Sequence, residues 1–533
     1  MKYFYLLFLL LLFFDLNAQT TPPNPFKAAV DKHAEITYTN PVIPGFYSDP
    51  SVIRVGDDYY LITSTFEYFP GVPVFHSKDL VNWKQIGHAI HRTDQLPDGL
   101  NIFAATLRYN DGLFYMITTN IGGKGNFFVT AEDPAGPWSD PIWVNVPGID
   151  PDLFFDDDGK VYTIGSSFEL FEIDHKTGEI LEDHGQVWAT TGGRYAEAPH
   201  IYKKDGWYYL MAAEGGTEEA HSETIARSHN IAGPYYSNPA NPILTHVNAA
   251  GQQKPIQGLG HGDMVQASDG SWWMVFHGYR TVAQGGIHHT LGRETCLAPV
   301  SWPKNGWPQV NGNGTIDVEM RTPTLPLKPW PEQPSRIDFD EPLRHEWNYV
   351  QNPEMSNYSL EERQGFFRLK GSATSLGDNY TTSTFVGRRV QHTYFSSTAV
   401  LEFDPESKNE EAGMTLLNNG THFDLVVQQD GDDRMVFARL QFENVIHESE
   451  KFFLESGPVT LKVEGYQSYF TFSFSQDGDD FQELQQVGAR YLSSETIGGF
   501  TGTYVGLYAT GNGSPSKAPA DFDWFEYVET TKE

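Results

Sequence analysis

"SVIRVGDDYYLITS", from Ser51 to Ser64, is a short apolar run, a Gly-Asp-Asp turn and a second run rich in aromatic and β-branched residues. That is the pattern of a β-hairpin. The layout returns as "ATLRYNDGLFYMITT" from Ala105, "DLFFDDDGKVYTIGS" from Asp152, "HIYKKDGWYYLMAA" from His200 and "MVQASDGSWWMVFHG" from Met264. Asp-Gly between two β-prone runs is a strong hairpin signal, because type I′ turns need positive φ at both central residues. Five hairpins of one design predict five blades, since the distances between repeats each leave room for a four-stranded sheet, the unit of a β-propeller.

The repeat also carries a register. Eight residues before the turn aspartates Asp57, Asp111, Asp158, Asp205 and Asp269 stand Asp49, Phe103, Asp150, Glu197 and His261, spaced by 54, 47, 47 and 64 residues. In a propeller the first strand of every blade lines the central channel, so these five positions converge near the axis on one face. Asp49, against a proline at the mouth of an apolar strand in "GFYSDPSVIRVGDDYYLI", is one member of a ring of Asp, Phe, Asp, Glu and His. Like charges brought together raise one another's pKa, a burden that points to use rather than to solvated strand ends.

Charge and composition narrow that use. The chain has 69 acidic and 36 basic side chains, a formal net charge of -33, which disfavours nucleic acid and anionic membrane surfaces and suits a neutral ligand. The N-terminus, "MKYFYLLFLLLLFFDLNAQT", reads as a secretory signal peptide over residues 1–18, its apolar run ending at Asp15, short of the ~20 residues a membrane span needs. The expected protein is therefore exported, periplasmic or secreted, with no membrane span after cleavage. Cys296 is the single cysteine, so no intramolecular disulfide forms, and it reads as a core residue.

Two carboxyl groups facing across a cleft are the equipment of glycoside hydrolysis, one protonated to assist the leaving oxygen and one ionised to activate water or attack carbon. A third close to the acid would keep its proton on. At this point a resemblance becomes specific. "NPVIPGFYSDP", "YSDPSV", "FEYFPGVPVFHSKDLVNW", "GIDPDLFFDDDG" and "AEAPHIYKKDGWYYLMAAEGGT" are similar to motifs of glycoside hydrolase family 43, which includes β-xylosidases and α-L-arabinofuranosidases, over roughly Asn40 to Val318. The resemblance implies a five-bladed propeller with an inverting mechanism. It implies Asp49 as the general base, Glu197 as the general acid and Asp150 as the carboxylate that modulates the acid. His261, in "GLGHGDMV", resembles the family's axial histidine, which often lies by a bound cation or water. Arg293, in "TLGRETCLAPVSW", resembles an arginine that binds sugar hydroxyls. No cofactor is required by the chemistry, and a structural calcium near His261 is the one metal the resemblance allows.

Phe103 and Phe66 are candidates for apolar walls beneath a sugar, whose C–H face suits an aromatic ring. Asp152 and the run Asp156-Asp157-Asp158 read as strand-end and turn residues; the run lacks the alternating ligands of a calcium loop.

The organisation expected is a propeller over residues 19–320, a proline-dense linker over 321–336, "RTPTLPLKPWPEQPSR", and a β-sandwich over 337–533. The last, with alternating strands such as "STAVLEFD" and "ADFDWFEYVE", resembles the concanavalin-like C-terminal domain of family 43 xylosidases, a jelly roll. It serves as either a lid beside the pocket or a sugar-binding module. The substrate expected is a carbohydrate releasing β-D-xylose or α-L-arabinofuranose, from plant or algal polysaccharides or their oligosaccharides. Two other readings stand beside this one: a retaining five-bladed fructan hydrolase, whose "NDPNG" and "RDP" signatures are absent, and a non-catalytic carbohydrate-binding propeller.

Overall fold

The computed structural model describes residues 36–248, 251–281, 288–322, 324–377 and 380–531. The signal-peptide reading falls on residues 1–18, outside those described. Among the described residues no helix is long and apolar enough to cross a membrane.

The chain folds as an all-β five-bladed propeller followed by a β-sandwich. Each blade is an antiparallel sheet whose strands follow one another in sequence order, and the fourth carries an extra short strand, Leu244–Thr245. The inner strands are Ser51–Val55, Ile102–Asn110, Asp152–Phe155, Glu197–Lys204 and Ile256–Gln266. Each packs against the next, and the fifth returns to the first. Outside the blades, Ile36–Thr39 pairs antiparallel with Glu319–Thr322 and brings the two ends of the ring together. Arg321 and Thr322, which the sequence reading gave to the linker, thus lie in this clasp. The proline-dense segment after it is pinned to blade one, where the Lys328 amide donates to Asp79 at 2.5 Å and the Trp330 indole donates to the Asn82 carbonyl at 3.2 Å.

The hairpin turns are less uniform than the shared aspartates suggest. Asp111-Gly112 and Asp205-Gly206 have positive φ at both residues, as type I′ requires. Blade one turns on Gly56-Asp57 with only Gly56 positive, and blades three and five join Phe155 to Val161 and Gln266 to Trp272 through five-residue loops. The aspartate keeps its place in the repeat while the turn type changes with loop length.

A buried polar cluster fastens the inner strands to one another. Arg108 of blade two pairs with Asp152 of blade three at 2.7 Å and with Asp263 of blade five at 3.1 Å. Asp263 also accepts from the Ser51 hydroxyl of blade one at 2.7 Å and the Tyr202 hydroxyl of blade four at 2.7 Å. All five blades meet there. Burial opposes the ionised form of Asp263, but Arg108 and the hydroxyl donors outweigh it and hold its pKa down at about 2.

The sandwich packs an eight-stranded sheet on a seven-stranded one. Its strands alternate as expected: Tyr394–Glu402 buries every second side chain. Phe385, Leu417, Tyr504 and Tyr508 of the seven-stranded sheet form one apolar cluster with Phe46, Phe66 and Tyr68 of the propeller. Tyr68–Phe69 pairs with Tyr349–Val350, so backbone hydrogen bonds also cross between the domains.

Candidate active site

At the mouth of the channel the backbone departs from a regular strand. Asp49, Asp150 and His261 all sit in the left-handed region, with φ of 57°, 54° and 54°, and Ala198, next to Glu197, has φ of 51°. Pairing registers slip at this level in blades two, four and five. Left-handed backbone costs a residue other than glycine roughly 1–2 kcal/mol. Such bulges re-aim side chains at strand ends.

The re-aimed groups share one cavity of about 340 Å³, lined by Asp49, Asp150, Glu197, His261, Arg293, Phe66 and Phe103. All seven site residues singled out in the sequence are thus brought together. Asp49 is almost wholly buried and held on every side. Its Oδ1 accepts from Arg293 Nη1 at 2.5 Å, and its Oδ2 accepts from the hydroxyls of Ser64 at 2.5 Å and Ser48 at 2.9 Å. Burial raises its pKa, yet the Arg293 guanidinium, with a hydrogen bond from His277, outweighs burial and holds the carboxyl well below the usual range. Asp49 is therefore the ionised carboxyl of the pocket.

Asp150 and Glu197 are the opposite case. Burial, then the Glu197 and Asp49 charges, push Asp150 well above the ordinary carboxylate range, against a single donor, the Ala198 amide at 3.3 Å. Burial, then the charge on Asp49, push Glu197 up to about 7, with Arg293 opposing. The Glu197 and Asp49 charges thus keep the proton on Asp150, and burial with the Asp49 charge keeps the Glu197 proton into the neutral range. His261 stands between: its Nδ1 is 3.5 Å from Asp49 Oδ1 and 4.0 Å from Glu197 Oε1, so the two carboxyl groups flank one ring. Burial pushes that ring down to about 3, and it is neutral.

Asp49, His261 and His277 present ligand atoms close enough to share a metal ion. Two ring nitrogens and one carboxylate do not suit calcium, which takes 6–8 oxygens. Arg293 also already occupies the Asp49 oxygen that would be needed. The calcium expected near His261 does not fit these residues. Asp152 lies in the ion-paired cluster below the pocket, Asp156 accepts from Lys203 and Tyr208 at the hairpin turn, and Cys296 is fully buried in the core.

Three kinds of residue escaped the sequence reading. Ser64 and His277 close the second strands of the first and fifth repeats; their signal is the pairing register, since Gly260, beside His261, pairs with His277. Tyr195, Thr217 and Glu218 come from blade-four loops that lie outside the repeat. Phe500 comes from the sandwich. Its ring stacks on Phe66 at 5.6 Å and meets Phe103 edge-on at 5.9 Å, and its carbonyl accepts from Arg293 Nη2 at 3.3 Å. One wall of the pocket thus belongs to the second domain. Nothing in its sequence marks Phe500. Beyond Phe500 a second cavity continues the first, between Arg194, Glu218 and Glu219 of blade four and Glu495 to Phe500 of the sandwich.

Comparison with known proteins agrees with this geometry. The family model "Glycosyl hydrolases family 43" matches residues 38–308, and "Beta xylosidase C-terminal Concanavalin A-like domain" matches 336–528. A non-reducing end alpha-L-arabinofuranosidase of Bacteroides ovatus is 44% identical over 93% of this chain and 95% of its own. A xylan 1,3-beta-xylosidase of Vibrio is 35% identical over 92% of this chain and 99% of its own. Among solved structures, a xylan beta-1,4-xylosidase from Bacillus halodurans superposes with a TM-score of 0.85 at 34% identity, covering 92% of this chain and all of that one.

Proposed function

The chain belongs to glycosyl hydrolases family 43, and from that premise we propose that it removes single pentose residues, β-D-xylose or α-L-arabinofuranose, from the ends or side branches of plant or algal glycans. It is a glycosidase, and its substrate is a carbohydrate. The observation that carries the proposal is the contrast across His261: an Asp49 fixed as an anion and a Glu197 that keeps its proton to about 7.

In this reading Asp49 is the general base. Two hydroxyls and Arg293 orient its carboxylate, which takes a proton from a water placed below the sugar. Glu197 is the general acid and protonates the departing glycosidic oxygen. Asp150, two residues ahead of the ion-paired Asp152 and just before its strand, sets a buried carboxyl beside Glu197 and positions the acid. Phe66, Phe103 and Phe500 form an apolar wall for the C–H face of the sugar, and Arg293 and His261 border it with donors. The cavity continuing past Phe500 is the space into which the remainder of the glycan extends. Family members of this kind invert configuration, and a single displacement needs no group bound to the protein. We further propose export, on the composition of residues 1–18.

The test is hydrolysis of aryl β-D-xyloside and α-L-arabinofuranoside, followed by proton NMR of the sugar first released. The expected product is the opposite anomer from the substrate. Retention, or a glycosyl group trapped on Asp49, overturns the base assignment, and inactivity on both pentosides overturns the substrate class.

A further inference from the structure

Behind the pocket two fully buried histidines link the two carboxyl groups by a second route. His277 Nδ1 is 3.0 Å from Asp49 Oδ1, and His277 Nε2 is 3.0 Å from His221 Nδ1. His221 Nε2 then faces Glu197 Oε1 at 3.6 Å, and among the described residues neither of those last two atoms has a hydrogen-bond partner although both are buried. Resting on the reading of Glu197 as the acid, we propose that His277 and His221 are positioning residues that form a one-way hydrogen-bond chain, matching an ionised Asp49 at one end to a protonated Glu197 at the other.

The chain follows from the valence of imidazole. A neutral ring offers one N–H and one lone pair, so two rings in series point all their protons the same way. Burial keeps both rings neutral. The Asp49 amide at 3.3 Å and Arg293 Nη1 at 3.4 Å also approach His277 Nδ1 and would favour a lone pair there. The carboxylate oxygen is nearer, and a lone pair 3.0 Å from an anionic oxygen is repulsive, so Nδ1 carries the proton and donates to Asp49. His277 Nε2 must then accept, His221 Nδ1 must donate, and His221 Nε2 presents a lone pair to Glu197. Only the protonated carboxyl can donate into it. Ionised Glu197 would set two lone pairs against each other between buried atoms, which is a penalty on losing the proton too early. The 3.6 Å gap needs to close by about half an ångström to enter the range of a made hydrogen bond, ~2.7–3.2 Å. The His221 ring packs face-on against Gly260, where a Cβ would lie 2.7 Å from it, so only glycine leaves room for the ring there.

Glu197 is also faced by Asp49, Asp150, Glu218, Glu223, His261 and Arg293, so the test compares variants that leave those groups in place. His221→Asn retains a polar atom near Nδ1 but does not reach Glu197. His277→Asn retains one near Asp49 but does not reach His221. Both are expected to move the alkaline limb of the kcat/KM profile to lower pH by about half to one unit, leaving activity on the acid side of that limb within about threefold. His221→Gln, which places an amide near Nε2, is expected to restore part of the shift. An alkaline limb that stays put in both Asn variants, with activity scaled down equally at every pH, overturns the chain and leaves a packing role. Nitrogen-15 NMR of histidine-labelled wild-type protein supplies a test that needs no variant to fold. His277 and His221 should both be Nδ1–H tautomers, and an Nε2–H on either overturns the proposal. Failure of the acid assignment looks different: the alkaline limb would persist in Glu197→Gln.

Discussion

The channel of this propeller holds two tiers of the same chemistry. At its mouth lie Asp49, Asp150, Glu197 and His261; one pleat deeper, roughly 7 Å along the strands, lie Asp152 and Asp263. Asp150 precedes the strand that Asp152 opens, and His261 and Asp263 share one. The lower tier has Arg108 between its two aspartates and hydroxyl donors from blades one and four, and it holds the blades together. At the mouth three carboxyl groups share Arg293, which sits on Asp49 alone. What separates a structural tier from a reactive one is not residue type but where the cation was placed.

Glu197→Gln is the hardest test of that division. It should reduce hydrolysis of natural glycosides by ~10²–10⁴-fold while leaving thermal stability equal or higher, because a buried acid is replaced by a neutral isostere. On an aryl glycoside with a good leaving group it should retain far more activity than Asp49→Asn. Equal losses on good and poor leaving groups would remove Glu197 as the acid.

Asp263→Asn should do the reverse. Leaving Arg108 short of a partner is expected to cost about 3–5 kcal/mol by denaturant unfolding, with kcat of the folded fraction little changed. A variant as stable as the parent would mean that the five-blade junction does not depend on its charge.

The two tiers also predict opposite responses to pH. An unfolded glutamate ionises near 4.5, whereas folded Glu197 holds its proton to about 7, so its contribution to stability is full below 4.5 and is lost as pH rises through 7. Asp263, held down at about 2, contributes stability above its ordinary range that is lost as pH falls toward 2. Unfolding curves across pH 4–8 should therefore flatten by roughly 1–3 kcal/mol in Glu197→Gln. In the same series Asp150→Asn, which replaces a proton-bearing carboxyl by a neutral isostere, should leave the alkaline limb of the rate profile within about half a unit; a limb moved further to lower pH would show Asp150 ionised when Glu197 titrates.

The smallest effect is expected at Phe500. Phe500→Ala should raise KM about three- to tenfold with kcat nearly unchanged, since it removes part of a wall rather than a reacting group. A loss confined to kcat would assign the ring to the reaction itself.

The mouth was legible in the sequence because it is periodic: one offset from the turn aspartates reaches Asp49, Phe103, Asp150, Glu197 and His261, and a repeat fold brings equivalent positions together. Blade count and sandwich were legible for the same reason, as alternation and spacing survive variation in side chains. His277 and Ser64 were reachable only through the pairing register of their hairpins, and His221 meets the ring between blades, where no fixed sequence distance applies. Nor were the turn types legible: an aspartate is compatible with a two-residue hairpin and with a five-residue loop, and the neighbouring glycine decides. That Asp49, His261 and His277 do not suit calcium turns on an interaction between distant positions, Arg293 on Asp49, which no local motif records.

Phe500 has a consequence for how this protein could change. Where a catalytic domain is complete in itself, an appended domain can be lost, gained or exchanged by recombination without altering what the enzyme recognises. Here the boundary between the two units runs through the wall of the pocket, and Arg293 is tethered to the appended one. Cutting the chain after the propeller would yield an open-sided cavity with a loosened arginine rather than a smaller enzyme. Exchanging the sandwich for that of a relative would transplant part of the substrate preference with it. The two units build one pocket, and selection on the sugar at the propeller's mouth would act on a loop more than 400 residues beyond Asp49.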